Sequence, residues 1–329
     1  METFQELNQD SAQSNQEPKK KFFNMRVTSM FSIISEPVTI RYYEWTGPPN
    51  APTVICCHGL TGNGRNFDFL ARTLCKDLNV ICPDMPGRGE STWLKNVLSY
   101  NFSVYAETGL ALLDHLENRG LKAPVDWVGI SMGGLIGMML AARSQSLIRR
   151  LVLDDVGPFI YKGAAERMRG YVGVDPTFTS LKELENYLRV IHKAFGPVTD
   201  EQWHYIAMHS AYRRSANEIK LNYDPAIGLP FRALDIVSSK YMPFWLKFWV
   251  PDFDCWPLYD QVTAETLVLR GAVSDVLRRE DALEMTRRGP KAKLVEFEGI
   301  GHVPILMSKC QIEVVSDFLL KKPVWLKRR

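Results

Sequence analysis

From Met25 to Trp45 apolar and polar positions alternate, and β-branched and aromatic types recur in Val38-Thr39-Ile40-Arg41-Tyr42-Tyr43-Glu44-Trp45. Two antiparallel strands joined by a turn near Ser35-Glu36-Pro37 are expected there. Beyond Trp45 the pattern changes to short apolar runs at 53–57, 79–82, 125–130, 151–153, 266–269 and 293–297. Strands that are apolar at successive positions bury both faces, as a parallel sheet with helices on either side requires. Between the runs, residues 104–116 and 312–320 carry their apolar side chains at helical spacing. Strand and helix in turn predict an α/β protein with a doubly wound, mostly parallel sheet and right-handed crossovers.

The alternation fails between about Pro158 and Asp260. That stretch lacks buried-strand runs and is rich in aromatic residues. Its segments 181–195 and 199–215 have helical spacing, so a mostly helical insertion is expected. Residues 241–249 are its most apolar part, read as packing against the core rather than as a flap toward a membrane. The expected organisation is an α/β core over 23–157 and 261–322, a helical insertion over 158–260, a disordered polar leader over 1–22 and a basic tail over 323–329.

Composition narrows the function classes. Hydrophobic residues at 46% and charged residues at 23% suit a chain that buries a core without metal or disulfide staples. The net charge of +3 and the scatter of basic residues give no footprint for nucleic acid. The first twenty residues hold no apolar run of the kind a secretory signal needs, and the longest apolar stretch, 128–142, is too short for a bilayer. Six cysteines without metal-ligand spacing read as buried free thiols of a cytoplasmic protein. No cofactor or metal is called for; a small molecule is the expected partner, and a homodimer is compatible with the sequence.

The chemistry is concentrated in a few motifs. Gly129-Ile130-Ser131-Met132-Gly133 has the form Gly-x-Ser-x-Gly, which places a serine on a sharp strand-to-helix turn where larger flanking side chains would collide. In a chain of this composition the pattern arises by chance about once in ten sequences, so context must support it. The context does so: an apolar strand precedes Ser131 and a helix rich in small residues follows. His58-Gly59-Leu60-Thr61-Gly62 follows an early strand, and backbone N–H groups of Leu60 and Met132 are the expected oxyanion donors. His58 itself is expected to brace that loop. Of the other histidines, His115 reads as a surface residue, and His192, His204 and His209 as capping or core residues of the insertion. His302, flanked by glycine after the last strand, is the expected base. Asp275, also just past a strand, is favoured as the acid that orients His302, because its loop neighbours the His302 loop. Asp154 and Asp155 are the alternatives.

These motifs, with PDMPGRGES, LVLDDVGP, LVLRGAVSD and GIGHVP in that order, make the chain similar to the α/β-hydrolase superfamily from about Thr39 to Leu320, and specifically to its single-cap, cytoplasmic, esterase-like branch. The resemblance implies an α/β-hydrolase fold with a helical cap inserted before the acid-bearing strand, and a serine hydrolase acting on a carboxylic ester or lactone. Relatives that cleave carbon–carbon bonds often have Trp after the catalytic histidine, where Val303 stands here, and a more Gly-rich first loop than Leu60-Thr61. Both departures favour the ester or lactone. The competing readings are a carbon–carbon bond hydrolase of a vinylogous diketone and a non-catalytic small-molecule receptor.

Overall fold

The structure, a computed structural model, describes residues 17–28, 35–121, 123–229 and 253–321. Two long strands, β1 (Lys19–Thr28) and β2 (Ser35–Trp45), pair antiparallel at one edge of an eight-stranded sheet. The strand begins at Lys19, so the polar leader is shorter than expected where it is described, and Ser35–Pro37 is already strand rather than turn. The rest of the core follows as β3 (Thr53–Cys57), α1 (Asp68–Leu74), β4 (Asn79–Pro83), α2 (Phe102–Asn118), β5 (Val125–Ile130), α3 (Met132–Ala141) and β6 (Ile148–Asp154). The insertion begins with β7 (Phe159–Ile160) and continues as α4 (Lys162–Arg169), α5 (Leu181–Ile191), α6 (Asp200–Ser210), β8 (Ala211–Ser215), β9 (Glu218–Leu221) and β10 (Phe253–Asp254). The chain returns to the core through α7 (Trp256–Tyr259), β11 (Glu265–Gly271), α8 (Arg279–Met285), β12 (Lys293–Phe297) and α9 (Lys309–Leu319).

The sheet order is β1-β2-β4-β3-β5-β6-β11-β12, parallel from β4 through β12. Successive residues of a strand point to opposite faces, and the core divides accordingly. Ile55, Cys57, Trp127, Leu151 and Leu153 face α2 and α3, where Leu112, Leu116, Ile136 and Leu140 meet them. Val54, Cys56, Val128, Val152 and Leu267 face α1 and α9, where Leu70, Leu74, Val315 and Phe318 meet them. This two-sided burial is why the strand runs are continuously apolar.

β7 and β10 pair antiparallel and bring the two ends of the insertion together beside β6 and β11. The segment 199–215, expected as one helix, splits at Ser210: Ala211–Ser215 forms a ribbon with Glu218–Leu221. The insertion is fastened to the core by Asn63 Nδ2 donating to His209 O (2.8 Å), Tyr100 Oη to Asp224 Oδ2 (2.6 Å) and Gly301 N to Ala194 O (2.7 Å). The expected apolar flap at 241–249, the leader 1–16 and the tail from 322 lie outside the described residues. Among the described residues no helix is long and apolar enough to cross a membrane. All six cysteines are free; four are buried as expected, whereas Cys310 is exposed.

Candidate active site

Ser131 joins β5 to α3 with φ +48° and ψ −112°, a backbone region that a serine adopts only under constraint. The constraint comes from its neighbours. A Cβ on Gly129 would lie 2.3 Å from the backbone of Gly133, and one on Gly133 would lie 2.0 Å from Cys57 O. Glycine at both positions therefore lets α3 start against the end of β3, with its N-terminus behind the serine. Ser131 N–H donates to Asp154 O at 2.9 Å, which fixes the turn to β6.

His302 follows β12 and reaches the same rim of the sheet. Its Nε2 lies 3.1 Å from Ser131 Oγ, and its Nδ1 lies 2.7 Å from Asp155 Oδ2. With Nδ1–H donating to the carboxylate, Nε2 is left to accept the serine hydroxyl proton. Asp155 is fully buried, at φ +50° just beyond β6. Its Oδ2 also accepts from the Ser274 hydroxyl (2.6 Å), and its Oδ1 accepts from Gly271 N–H (2.9 Å). These bonds fix the carboxylate from the β11 side.

Asp275 is not the partner of His302, which corrects the expectation from sequence. Its loop does run beside the His302 loop, with Val273 N–H donating to Ile300 O at 3.0 Å. The side chain, however, turns away: Asp275 forms a bidentate pair with Arg167 of the insertion and is half exposed. The neighbouring Ser274, not Asp275, points inward, and it bonds Asp155. It follows that the insertion lies after the strand bearing the partner carboxylate, not before it. Asp154, the other alternative, is buried with neither carboxylate oxygen bonded among the described residues, and burial raises its pKa well above the usual carboxylate range, with Asp155 adding to the shift.

The loop 58–62 closes one side of the site. A Cβ on Gly59 would lie 3.7 Å from Ser131 Cβ, so this loop borders the serine directly. Among the described residues no protein acceptor takes the N–H of Leu60 or of Met132. His58 braces the loop as expected: fully buried, it donates from Nδ1 to Gly59 O (2.7 Å) and accepts Met85 N–H at Nε2 (3.0 Å). Burial pushes its pKa down to about 3, so the ring is neutral. Arg88 is buried beside it. Nε donates to Leu60 O (2.9 Å), Nη1 donates to Pro86 O (2.7 Å), and Nη2 lies 3.5 Å from Met132 Sδ. Its guanidinium sits 4.7 Å over the Tyr105 ring.

A cavity of about 110 Å³ opens onto Ser131 and His302. The core supplies Leu60, Thr61, Asn66, Ile130 and Val303 to its wall; the insertion supplies Met168, Tyr171, Val172, His192, Phe195 and Ile206. Sequence reading missed His192 and Tyr171 as lining residues, because nothing in their local spacing separates a cavity wall from a packed core. Phe67, near the 58–62 loop, is fully buried core. His115, expected at the surface, packs on Phe23 and bonds Tyr42 Oη at 3.1 Å. The described residues contain no cluster of side chains able to hold a metal ion.

Sheet order, the strained serine turn and the Ser131–His302–Asp155 contacts define one class of protein: the chain belongs to the alpha/beta hydrolase fold family, whose sequence profile matches residues 52–306. It is 37% identical over 282 residues to the 3-hydroxybutyrate-oligomer hydrolase of Cupriavidus necator, covering 84% of this chain and 91% of that one. An alpha/beta hydrolase from Novosphingobium aromaticivorans superposes with a TM-score of 0.73 at 31% identity, over 91% of this chain and 98% of that structure. The esterase Rv0045c of Mycobacterium tuberculosis shares the fold at a TM-score of 0.63 and 20% identity, over 96% and 95% of the two chains.

Proposed function

We propose that this protein is a serine hydrolase that cleaves a carboxylic ester or lactone of a small to medium, largely apolar substrate through an acyl-enzyme. The observation that carries the proposal is the hydrogen-bonded line from Ser131 Oγ through His302 to Asp155. His302 Nε2 takes the Ser131 proton as Oγ attacks the carbonyl carbon, and Asp155 holds the ring in the required tautomer and stabilises its charged form. The tetrahedral oxyanion is received by the N–H groups of Leu60 and Met132. Collapse expels the alcohol, which takes the proton from His302. Water activated by the same imidazole then releases the acid and restores Ser131.

The inserted segment acts as a cap whose apolar side chains size the substrate and exclude water. The 37% identity to a 3-hydroxybutyrate-oligomer hydrolase supports esters of short hydroxy acids as the substrates to test first. The free cysteines fit a cytoplasmic setting.

Turnover of p-nitrophenyl butyrate tests the reading. Ser131→Ala lowers kcat by at least about a thousandfold while the protein stays folded; retained turnover in that variant contradicts it.

A further inference from the structure

His192 caps the C-terminal end of α5, its N–H bonded to Leu188 O at 2.9 Å. Its ring stacks on Phe195 with centroids 4.6 Å apart and planes 6° from parallel, and meets Tyr171 edge-on at 5.9 Å. These contacts fix the plane of the imidazole. Neither ring nitrogen, though, has a hydrogen-bond partner among the described residues. The ring lines the cavity over Ser131, and the same ring borders a second space of about 20 Å³ that it shares with Thr61, Tyr171 and Ser210. That volume holds about one water.

An imidazole set in the wall of this cavity, its plane fixed by Phe195 and Tyr171, offers its ring nitrogens to a molecule bound over Ser131. Ser210 lies on the same wall. We propose that His192 is a specificity-determining residue that hydrogen-bonds a second oxygen of the substrate, a hydroxyl or a further ester carbonyl close to the scissile bond. The substrate class is then oxygenated esters, such as hydroxy-acid esters and their oligomers, in preference to plain alkyl esters. Burial, reinforced by His302 and Arg167, holds the ring's pKa down to about 4. At neutral pH it therefore offers one donor and one acceptor and matches either oxygen type. The assignment rests on Ser131 serving as the nucleophile of an ester hydrolase.

Two substrate pairs test it: p-nitrophenyl butyrate against p-nitrophenyl 3-hydroxybutyrate, and propyl butyrate against 3-hydroxypropyl butyrate. The first pair varies the acyl side and the second the alcohol side. The wild-type protein prefers the oxygenated member of at least one pair by about tenfold or more in kcat/KM, because a site built to bond an oxygen rejects the analogue lacking it. His192→Phe, which keeps the stack on Phe195, abolishes that preference, and His192→Gln restores part of it. His192→Leu gives a second apolar variant, and labelling of Ser131 by a fluorophosphonate verifies that each variant retains a formed site. Unchanged ratios in His192→Phe and His192→Leu for both pairs overturn the assignment, as does a labelled wild-type protein with no preference in either pair. If the wild-type protein hydrolyses none of the four esters and Ser131 resists labelling, the ester-hydrolase reading fails and this assignment falls with it.

Discussion

Asp155 Oδ2 accepts a hydrogen bond from His302 Nδ1–H at 2.7 Å, and the same oxygen accepts a second from the Ser274 hydroxyl at 2.6 Å. With Gly271 N–H on the other carboxylate oxygen, three donors from two neighbouring segments hold one buried carboxylate in place. The geometry therefore separates two aspartates that both stand just past strand ends. Asp155 orients the imidazole, and Asp275 ties the core to the insertion through Arg167.

Asp155→Asn lowers kcat on p-nitrophenyl butyrate by about a thousandfold or more, since the amide no longer fixes the tautomer or stabilises the imidazolium. Asp275→Asn changes kcat by less than about fivefold, because the Arg167 contact is half exposed. Steady-state kinetics on the two variants check both statements; the reverse ranking contradicts them.

The preference for Asp275 in the sequence shows what a single chain reveals about this site and what it hides. The strands 53–57 and 125–130 were legible to the residue because burial on both faces writes a continuous run, whereas the edge strand 293–297 buries only Val295 and was legible from its short Leu294-Val295 core. Ser131 and His302 were legible because glycines beside each announce a tight turn. Both aspartates satisfy the rule that functional groups follow parallel strands, and both keep the order Ser, Asp, His. Only the direction of the side chains distinguishes them, and that depends on Arg167 and Ser274 arriving from elsewhere. The β8–β9 ribbon was hidden for a different reason: its residues Tyr212–Ser215 are exposed, so no buried periodicity marks them as strand.

Gly133→Ala tests the close approach behind Ser131. Its Cβ would meet Cys57 O at 2.0 Å, and backbone cannot yield as a side-chain tip can. The helix must move off the sheet, at a cost of about 2–3 kcal/mol in stability and with loss of the serine's position. Urea unfolding and ester turnover measure the two effects; an unchanged midpoint contradicts the packing argument.

Arg88 is a positioning residue, since it touches Leu60 O and Met132 Sδ rather than the reacting atoms. Arg88→Met lowers kcat by about 10- to 100-fold with little change in KM, because in the proposed mechanism the Leu60 N–H would lose its aim at the oxyanion. Arg88→Lys recovers part of the loss. A rise in KM alone would instead mean that the guanidinium contacts substrate.

His58 predicts a pH-dependent stability. Burial lowers its folded pKa to about 3 against about 6.5 in the unfolded chain, so the unfolded state binds more protons between those values. Its contribution is fully present above pH ~6.5 and is lost as the pH falls toward 3, at roughly 1 kcal/mol per unit. His58→Gln does not titrate. The stability advantage of the wild-type protein over the variant therefore shrinks from pH 6.5 to 4, as unfolding titrations at both pH values would measure; a constant difference contradicts the buried neutral ring.

In the proposed mechanism one hydroxyl, held beside one imidazole, forms the covalent intermediate. Peptide mass spectrometry after brief exposure to a fluorophosphonate tests it most directly. A single adduct on Ser131, absent from Ser131→Ala and strongly slowed in His302→Ala, is the predicted result. A folded, ester-cleaving protein that carries no adduct on Ser131, or carries it on another residue, would contradict the account.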